Sequence, residues 1–408
     1  MVTLTPRLQA IFKENRSVCF GRFLITIPAT ATVVYGPAQA ETPIDFYRGD
    51  AHKIDELVAT RLTEIEKERE YLTAEDKAKL TLFGHVRDGA IRGQKIVIGS
   101  KNQVGYAVHS YVPIGDDLFV QYLSSLLPDE DPFELMNSVA RQLQSRPENV
   151  IPIEPGACIE GGLVAKEMTY EQIAIGIRLK EYPDVHMSIE IHRNVGRLAE
   201  SSSLELLLKE GDEAAREAGA GFLFDRIKIF RHGARALGDW KGFEHASRIP
   251  AHKKNTDSHE FFYQSLGAIQ DALLPKLEIT LDTGVKGDSK ASVVPSITDD
   301  EALAIWDKLI TTIRVRQPGD ATPVKTPMPL ATLSKTGERC AETGWWECME
   351  STPVKGDPRR LFMAGEPFPP VVKVAEPTAW QKLTGTRQEY PIPTTWKLVD
   401  YAEHHSPQ

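Results

Sequence analysis

The chain has 408 residues, 41% hydrophobic and 26% charged, with a formal net charge of −9. That length supports two or three domains with well-buried cores, and the acidic balance argues against nucleic acid or an anionic membrane surface as a partner. No apolar run approaches the roughly 18–20 residues that span a bilayer, so no membrane insertion is expected.

In chain order, a short helix-like stretch (3–14) precedes a strand at 20–28. In "AHKIDELVATRLTEIEKERE", Ile54, Leu57, Val58, Leu62 and Ile65 recur at three- and four-residue steps and predict an amphipathic helix. Strands are expected near 81–87, 92–99, 104–112 and 118–124, the last two joined by a turn at Pro113–Asp117. "DPFELMNSVARQLQSR" predicts a second helix, and "PENVIPIEPG" then interrupts all periodicity. The order repeats beyond it. Strands are expected at 160–169, 174–180 and 185–191, a helix at 202–218, and strands at 222–231, 236–248, 259–267 and 276–282. A last helix opens with a capping box formed by Thr298 and Glu301.

This order predicts an α+β fold of two similar domains, 1–150 and 151–316, each an antiparallel sheet with helices packed on one face. The repeated order of elements points to an internal duplication, since residue identity between the halves is slight. A Pro-rich linker (317–330) leads to a small β-rich appendage (331–408) that holds four of the six tryptophans.

A catalytic centre is harder to find. The chain has no G-x-S-x-G, H-E-x-x-H, G-x-x-x-x-G-K-[ST] or G-x-G-x-x-G string. "GVKGDSKAS" (284–292) has glycines and lysines in an order that makes a surface loop, not a phosphate cradle. In "DVHMSIEIH", His186, Ser188, Glu190 and His192 alternate with apolar residues and share one strand face. The two histidines lie about 20 Å apart along a straight strand, too far to share a zinc ion, so a solvated face is expected. No catalytic residue, metal or cofactor is expected.

The four cysteines form two natural pairs. Cys340 and Cys348 bracket "AETGWWE", where a local disulfide is expected over free thiols. Cys19 and Cys158 stand at matching points of the two halves, and a pseudo-two-fold axis could bring them together as a bridge; the alternative is two buried thiols. Disulfides place a bacterial protein in the periplasm.

The strings "VCFGRFLITIP", "IPIEPGACIEGGLVAKE" and "GERCAETGWWEC…FMAGEPFPP…WQKLTG…TTWKLVDY" resemble the immunity proteins for class-four type VI secretion lipase effectors, over nearly the whole length. The resemblance implies a non-catalytic periplasmic protein with an N-terminal and a C-terminal immunity domain. Its partner would be a cognate lipase effector of the α/β-hydrolase type, held at its lid or entrance. The sequence opens without an export signal, which departs from that pattern, and the expectation is a mature form whose signal has been removed. A Cys19–Cys158 clamp would preorganise the binder. Partner contacts are expected at turns facing an inter-domain cleft: Asp116, Asp117, Lys253, Lys254 and Asn255. Two other readings are an envelope binding module for carbohydrate or protein that uses exposed appendage tryptophans, and a hydrolase of unrecognised type.

Overall fold

The computed structural model describes residues 4–101, 105–196, 202–252, 255–287, 289–317, 320, 329–341, 343–350, 354–374 and 389–401. The chain forms two compact units, Met1–Thr322 and Pro323–Gln408. The expected boundary at 150/151 falls inside the first unit.

The first unit begins with α1 (Pro6–Ile11) and the hairpin β1 (Asn15–Phe20) and β2 (Phe23–Pro28). Next come β3 (Thr32–Ala40), β4 (Thr42–Tyr47), α2 (Ile54–Arg69) and α3 (Ala74–Lys79). The first half closes with β5 (Val86–Asp88), β6 (Lys95–Lys101), β7 (Gly105–Ile114), β8 (Asp117–Leu126), α4 (Pro132–Ala140) and β9 (Leu143–Ser145). The second half repeats this order. It has the hairpin β10 (Ala157–Ile159) and β11 (Gly162–Val164), then β12 (Glu171–Leu179), β13 (Tyr182–His192), α5 (Leu204–Glu217) and α6 (Gly221–Phe224). It continues through β14 (Lys228–Leu237), β15 (Trp240–Ile249), β16 (Ser258–Ser265), β17 (Lys276–Asp282), α7 (Asp299–Ile310) and β18 (Arg314–Val315). The strand expected over 222–231 is instead the short α6 followed by β14, and the one over 160–169 is a hairpin arm.

Twelve strands form one antiparallel sheet in the order β14-β15-β16-β17-β13-β12-β3-β4-β8-β7-β6-β5. Reading outward from the central β3–β12 pair, each strand of one half has its counterpart in the other, which is a pseudo-two-fold arrangement. The two small sheets obey the same relation with an exchange. β18, at the end of the second half, completes the β1-β2 sheet, and β9, at the end of the first half, completes the β10-β11 sheet.

One face of the large sheet buries Ile173, Ile175 and Ile177 of β12 against the small sheets and α7, where Phe20, Phe23 and Trp306 are fully enclosed. Alternation on β12, with Gln172, Ala174, Gly176 and Arg178 outward, follows from the two-residue repeat of a strand. The helix starts are local chemistry. Asp131 caps α4 by accepting from the Phe133 backbone N–H (2.8 Å), with Pro132 at the first helical position. At α7 the expected capping box forms: Thr298 Oγ1 accepts from the Glu301 N–H (3.3 Å), and Glu301 Oε2 accepts from the Thr298 N–H (3.1 Å).

Glu301 also ties α1 to α7. Its carboxylate accepts from Arg7 and, at 2.9 Å, from the Thr5 hydroxyl. The Arg7 hydrogen bonds, helped by the Thr298 backbone, hold the Glu301 carboxyl down at about 2. Because the folded value lies below the unfolded one, this stabilisation is complete above about pH 4.5 and fades as pH falls toward 2. Glu301→Gln is therefore expected to cost about 2 kcal/mol at neutral pH, with half-exposed Arg7 screening the pair. It should also flatten the pH dependence of the melting temperature in that window. A wild-type stability that does not change between pH 5 and 2.5 would refute the linkage.

The second unit has a sheet ordered β19 (Leu333–Lys335), β24 (Thr395–Tyr401), β20 (Gly344–Cys348) and β21 (Arg359–Phe362), plus the hairpin β22 (Val371–Val374) and β23 (Glu389–Ile392). Its core packs Trp346, Phe362, Phe368 and Trp396. Trp346 and Trp396 are thus buried, where the sequence suggested exposed rings; Trp345 remains on the surface and Trp380 lies outside the described residues. Cys340 and Cys348 are both buried and are not joined to each other, which corrects the expected local disulfide. The residues after the expected turn extend as β20, carrying Cys348 away along the strand. The backbone N–H of Cys340 instead bonds to the Glu366 carbonyl (2.7 Å).

Candidate partner-binding surface

The two halves are clamped where their first hairpins meet. Cys19 lies in β1 opposite Leu24, and Cys158 lies in β10 opposite Leu163. Their Cα atoms stand 5.8 Å apart and the sulfurs are bonded, across a sequence separation of 139. That separation matches the offset between the two hairpins, so the bridge joins equivalent positions. The Cys158 backbone exchanges two hydrogen bonds with Gly21 (2.8 and 2.7 Å) beside it. Gly21 sits at φ +51°, and a Cβ there would come within 2.2 Å of Ile191 Cδ1, so both the turn and the close approach require glycine.

Two arginines that the sequence reading did not single out secure the connection between the halves. Arg146 is buried and donates to the carbonyls of Pro147, Glu148, Val150, Ile159 and Gly162 and to the Tyr35 hydroxyl. Arg316 donates to the carbonyls of Pro152, Glu154 and Gly156. They occupy equivalent places. The backbone N–H of Arg146 bonds to Gly161 O, and that of Arg316 bonds to Arg22 O, each just after the last helix of its half. A pairing signal was present in "SRP" and "VRQP", an arginine with a proline one or two residues on after each closing helix.

The expected contact turns lie on the surface. Asp116 is exposed at the β7–β8 tip, and Asp117 Oδ1 accepts from the Gly49 N–H at 2.9 Å. Asn255 is exposed in the β15–β16 connection; Lys253 and Lys254 lie outside the described residues. The antiparallel order puts both connections on one edge of the sheet, seven strand spacings apart. At about 4.8 Å per spacing that is roughly 34 Å, so the fold aligns these turns without bringing them together.

The His-rich face of β13 is occupied by sheet-surface contacts. Glu190 accepts from Gln172 Nε2 (2.5 Å), Ser188 and Thr280 share a hydrogen bond (2.6 Å), and His192 packs edge-on to Tyr170. One arrangement imitates a nucleophilic triad: His259 Nδ1 meets Thr283 Oγ1 at 2.9 Å, and Nε2 meets Asp299 Oδ1 at 3.0 Å. Both His259 and Thr283 are 0% exposed, and Asp299 is held by Lys228 and Arg248, so no substrate reaches the hydroxyl. Lys228, Arg248 and His259 hold the Asp299 carboxyl far below the carboxylate range against the effect of burial. Among the described residues no group of three or more His, Cys, Asp or Glu side chains could hold a metal.

These features define a duplicated α+β scaffold, clamped at its pseudo-axis, whose accessible parts are turns and sheet faces. Residues 150–318 match the family described as the Tle cognate immunity protein 4 C-terminal domain. Among solved structures, the chain is similar to one in a Tle4–Tli4 complex, with 21% identity and a TM-score of 0.59 over 74% of this chain and 98% of that one. It is also similar to the immunity protein TplEi of the type VI secretion system of Pseudomonas aeruginosa in complex with a peptide called L (21% identity, TM-score 0.56, 74% and 98%). The apo form of TplEi matches at 20% identity and a TM-score of 0.55, over 74% and 97%. At these identities the likeness establishes the α+β fold. No curated protein matches the chain by sequence. No helix among the described residues is long and apolar enough to cross a membrane.

Proposed function

We propose that this chain is an immunity protein that binds and inhibits a cognate type VI secretion phospholipase effector of the α/β-hydrolase type. The match of residues 150–318 to the immunity domain carries this reading. It works without catalysis, by occupying the lipase lid or entrance, and it acts in the periplasm. The Cys19–Cys158 bridge supports that compartment, since such bonds persist where thiols are oxidised. A continuous sheet with a covalent clamp at its centre loses little freedom on binding, which favours affinity at a given contact area. The turns at Asp116 and 253–255 are the proposed contacts, and Asp116→Lys tests the first cleanly because Asp117 also supports the fold.

The deciding experiment titrates the lipase encoded beside this gene with the purified chain, following phospholipid hydrolysis and co-elution together. Loss of activity at one-to-one stoichiometry with a stable complex is expected. Full activity without co-elution refutes the reading, and an envelope-binding role would then take its place. Lipid turnover by the purified chain itself would make it an enzyme.

A further inference from the structure

The pseudo-two-fold is broken in one layer. In the first half, α2 lies on β6–β8 and the space between is filled: Ile65, Ile96, Ile98, Tyr106 and Val108 are all fully enclosed. Its counterpart α5 covers the equivalent strands β15 and β16, yet none of its residues is buried. Between them lies a cavity of about 620 Å3, walled by half-buried Leu208 of α5, Phe224, Ile229, Ile249 and Phe262. Ile229 of its wall is more than half exposed, as are Leu207 of α5 and Phe222 of α6 on the elements that flank it.

The polar groups say what would fill it. Arg216 on the rim is committed to Asp212 and Asp225, and Lys209 lies within 3.9 Å of Glu213. Glu205 on the rim and Glu260 on the floor have no ion-pair partner among the described residues. Asp282, across the strand pair from Glu260, is paired with Lys290 at 3.0 Å. Burial pushes the Glu260 carboxyl up, and a cation placed beside it would offset that cost. Lys209 and Arg216 also line the cavity but are already set against Glu213, Asp212 and Asp225, so what it leaves open to a partner is its apolar wall and the carboxylates of Glu205 and Glu260, which oppose a fatty-acid or phosphate head.

We propose that the cavity under α5 is a docking slot for a basic, apolar segment of the lipase effector, with aliphatic or aromatic side chains entering between α5 and the sheet and basic side chains meeting Glu205 on the rim and Glu260 on the floor. This rests on the immunity reading and assigns part of its binding surface to the second half. In this open layer a partner can add core without displacing any.

The test uses the full chain and the purified lipase. Leu208→Trp fills the slot from within, and the double variant Glu205→Gln/Glu260→Gln removes its two unpaired carboxylates while keeping its shape. Leu208→Trp is expected to weaken the complex at least ten-fold while the melting temperature holds or rises. The glutamine pair is expected to weaken it several-fold and to reduce its sensitivity to salt. Wild-type binding with both variants unchanged overturns the slot and leaves the immunity reading intact. Wild-type chain that fails to bind the lipase overturns both. Micromolar binding of sodium myristate that Leu208→Trp abolishes, with lipase affinity unchanged, would make the slot a lipid site and overturn the proposal.

Discussion

Replacing Cys19 and Cys158 together by serine is expected to lower the stability of the Met1–Thr322 unit by about 5 kcal/mol. The bridge closes a loop of 139 residues, and the chain-entropy picture assigns about that much to a loop of this length. Two further terms act in the same direction. Both sulfurs pack in a small cluster with Leu24, Ile151 and Leu163, so serine would place an unpaired hydroxyl among apolar side chains. The exchanged hydrogen bonds between Gly21 and Cys158 also lose the covalent support that keeps them aligned. The melting temperature should fall by about 10 °C for a unit of this size. Chemical denaturation of oxidised and reduced wild-type chain is the companion measurement. Coincident midpoints would mean that the small sheets hold the halves together without the bridge.

What the sequence disclosed and what it hid divide along a physical line. Features set by a few neighbouring residues were legible. The Thr298–Glu301 box, the β7–β8 hairpin and the periodic stripe of α2 each depend on local chemistry, and each formed where expected. The duplicated order of elements was legible for the same reason, and with it the pairing of Cys19 and Cys158.

The hidden parts are non-local or locally disguised. In β3 and β4, "TVVYGPAQAETPIDFY" is broken by Gly36, Pro37 and Pro43, so the two strands escape notice. Yet β3 is the strand through which one half adds to the other. The exchanged strands β9 and β18 have three and two residues, too few to show any alternation. At Cys340 and Cys348, short spacing and an intervening glycine suggested a turn; tertiary pairing made Gly344 the start of a strand instead. The leucines of α5 predict a buried face, but the strands beneath present His245, Ser247 and Glu260, so that face stands off the sheet. The candidate turns were legible only as turns. Their separation along one edge depends on the order of strands, which no local pattern encodes.

Cutting the chain between residues 150 and 151 is expected to give two pieces that do not fold alone and fold together. Each piece lacks what finishes it. Without residues after 150, the β1-β2 sheet loses β18, and β3 becomes an open edge. Without residues before 151, β11 loses β9, and the apolar face of β12 (Ile173, Ile175, Ile177) loses the enclosing Phe20 and Phe23. Exposed edges of this kind pair with other copies, so each lone piece should aggregate or remain uncooperative on heating. Co-expressed with 151–322, the 1–150 piece should co-elute one-to-one, and a non-reducing gel should show both in one band through Cys19 and Cys158. A lone 1–150 piece that is monomeric and melts cooperatively would show that the exchange of β9 and β18 is dispensable. Reduction of the assembled pair separates two causes. If the pieces stay together, the β3–β12 ladder and the exchanged strands carry the association. If they part, the disulfide is what makes one frame of two halves, and its loss in the intact chain should then cost partner affinity as well as stability.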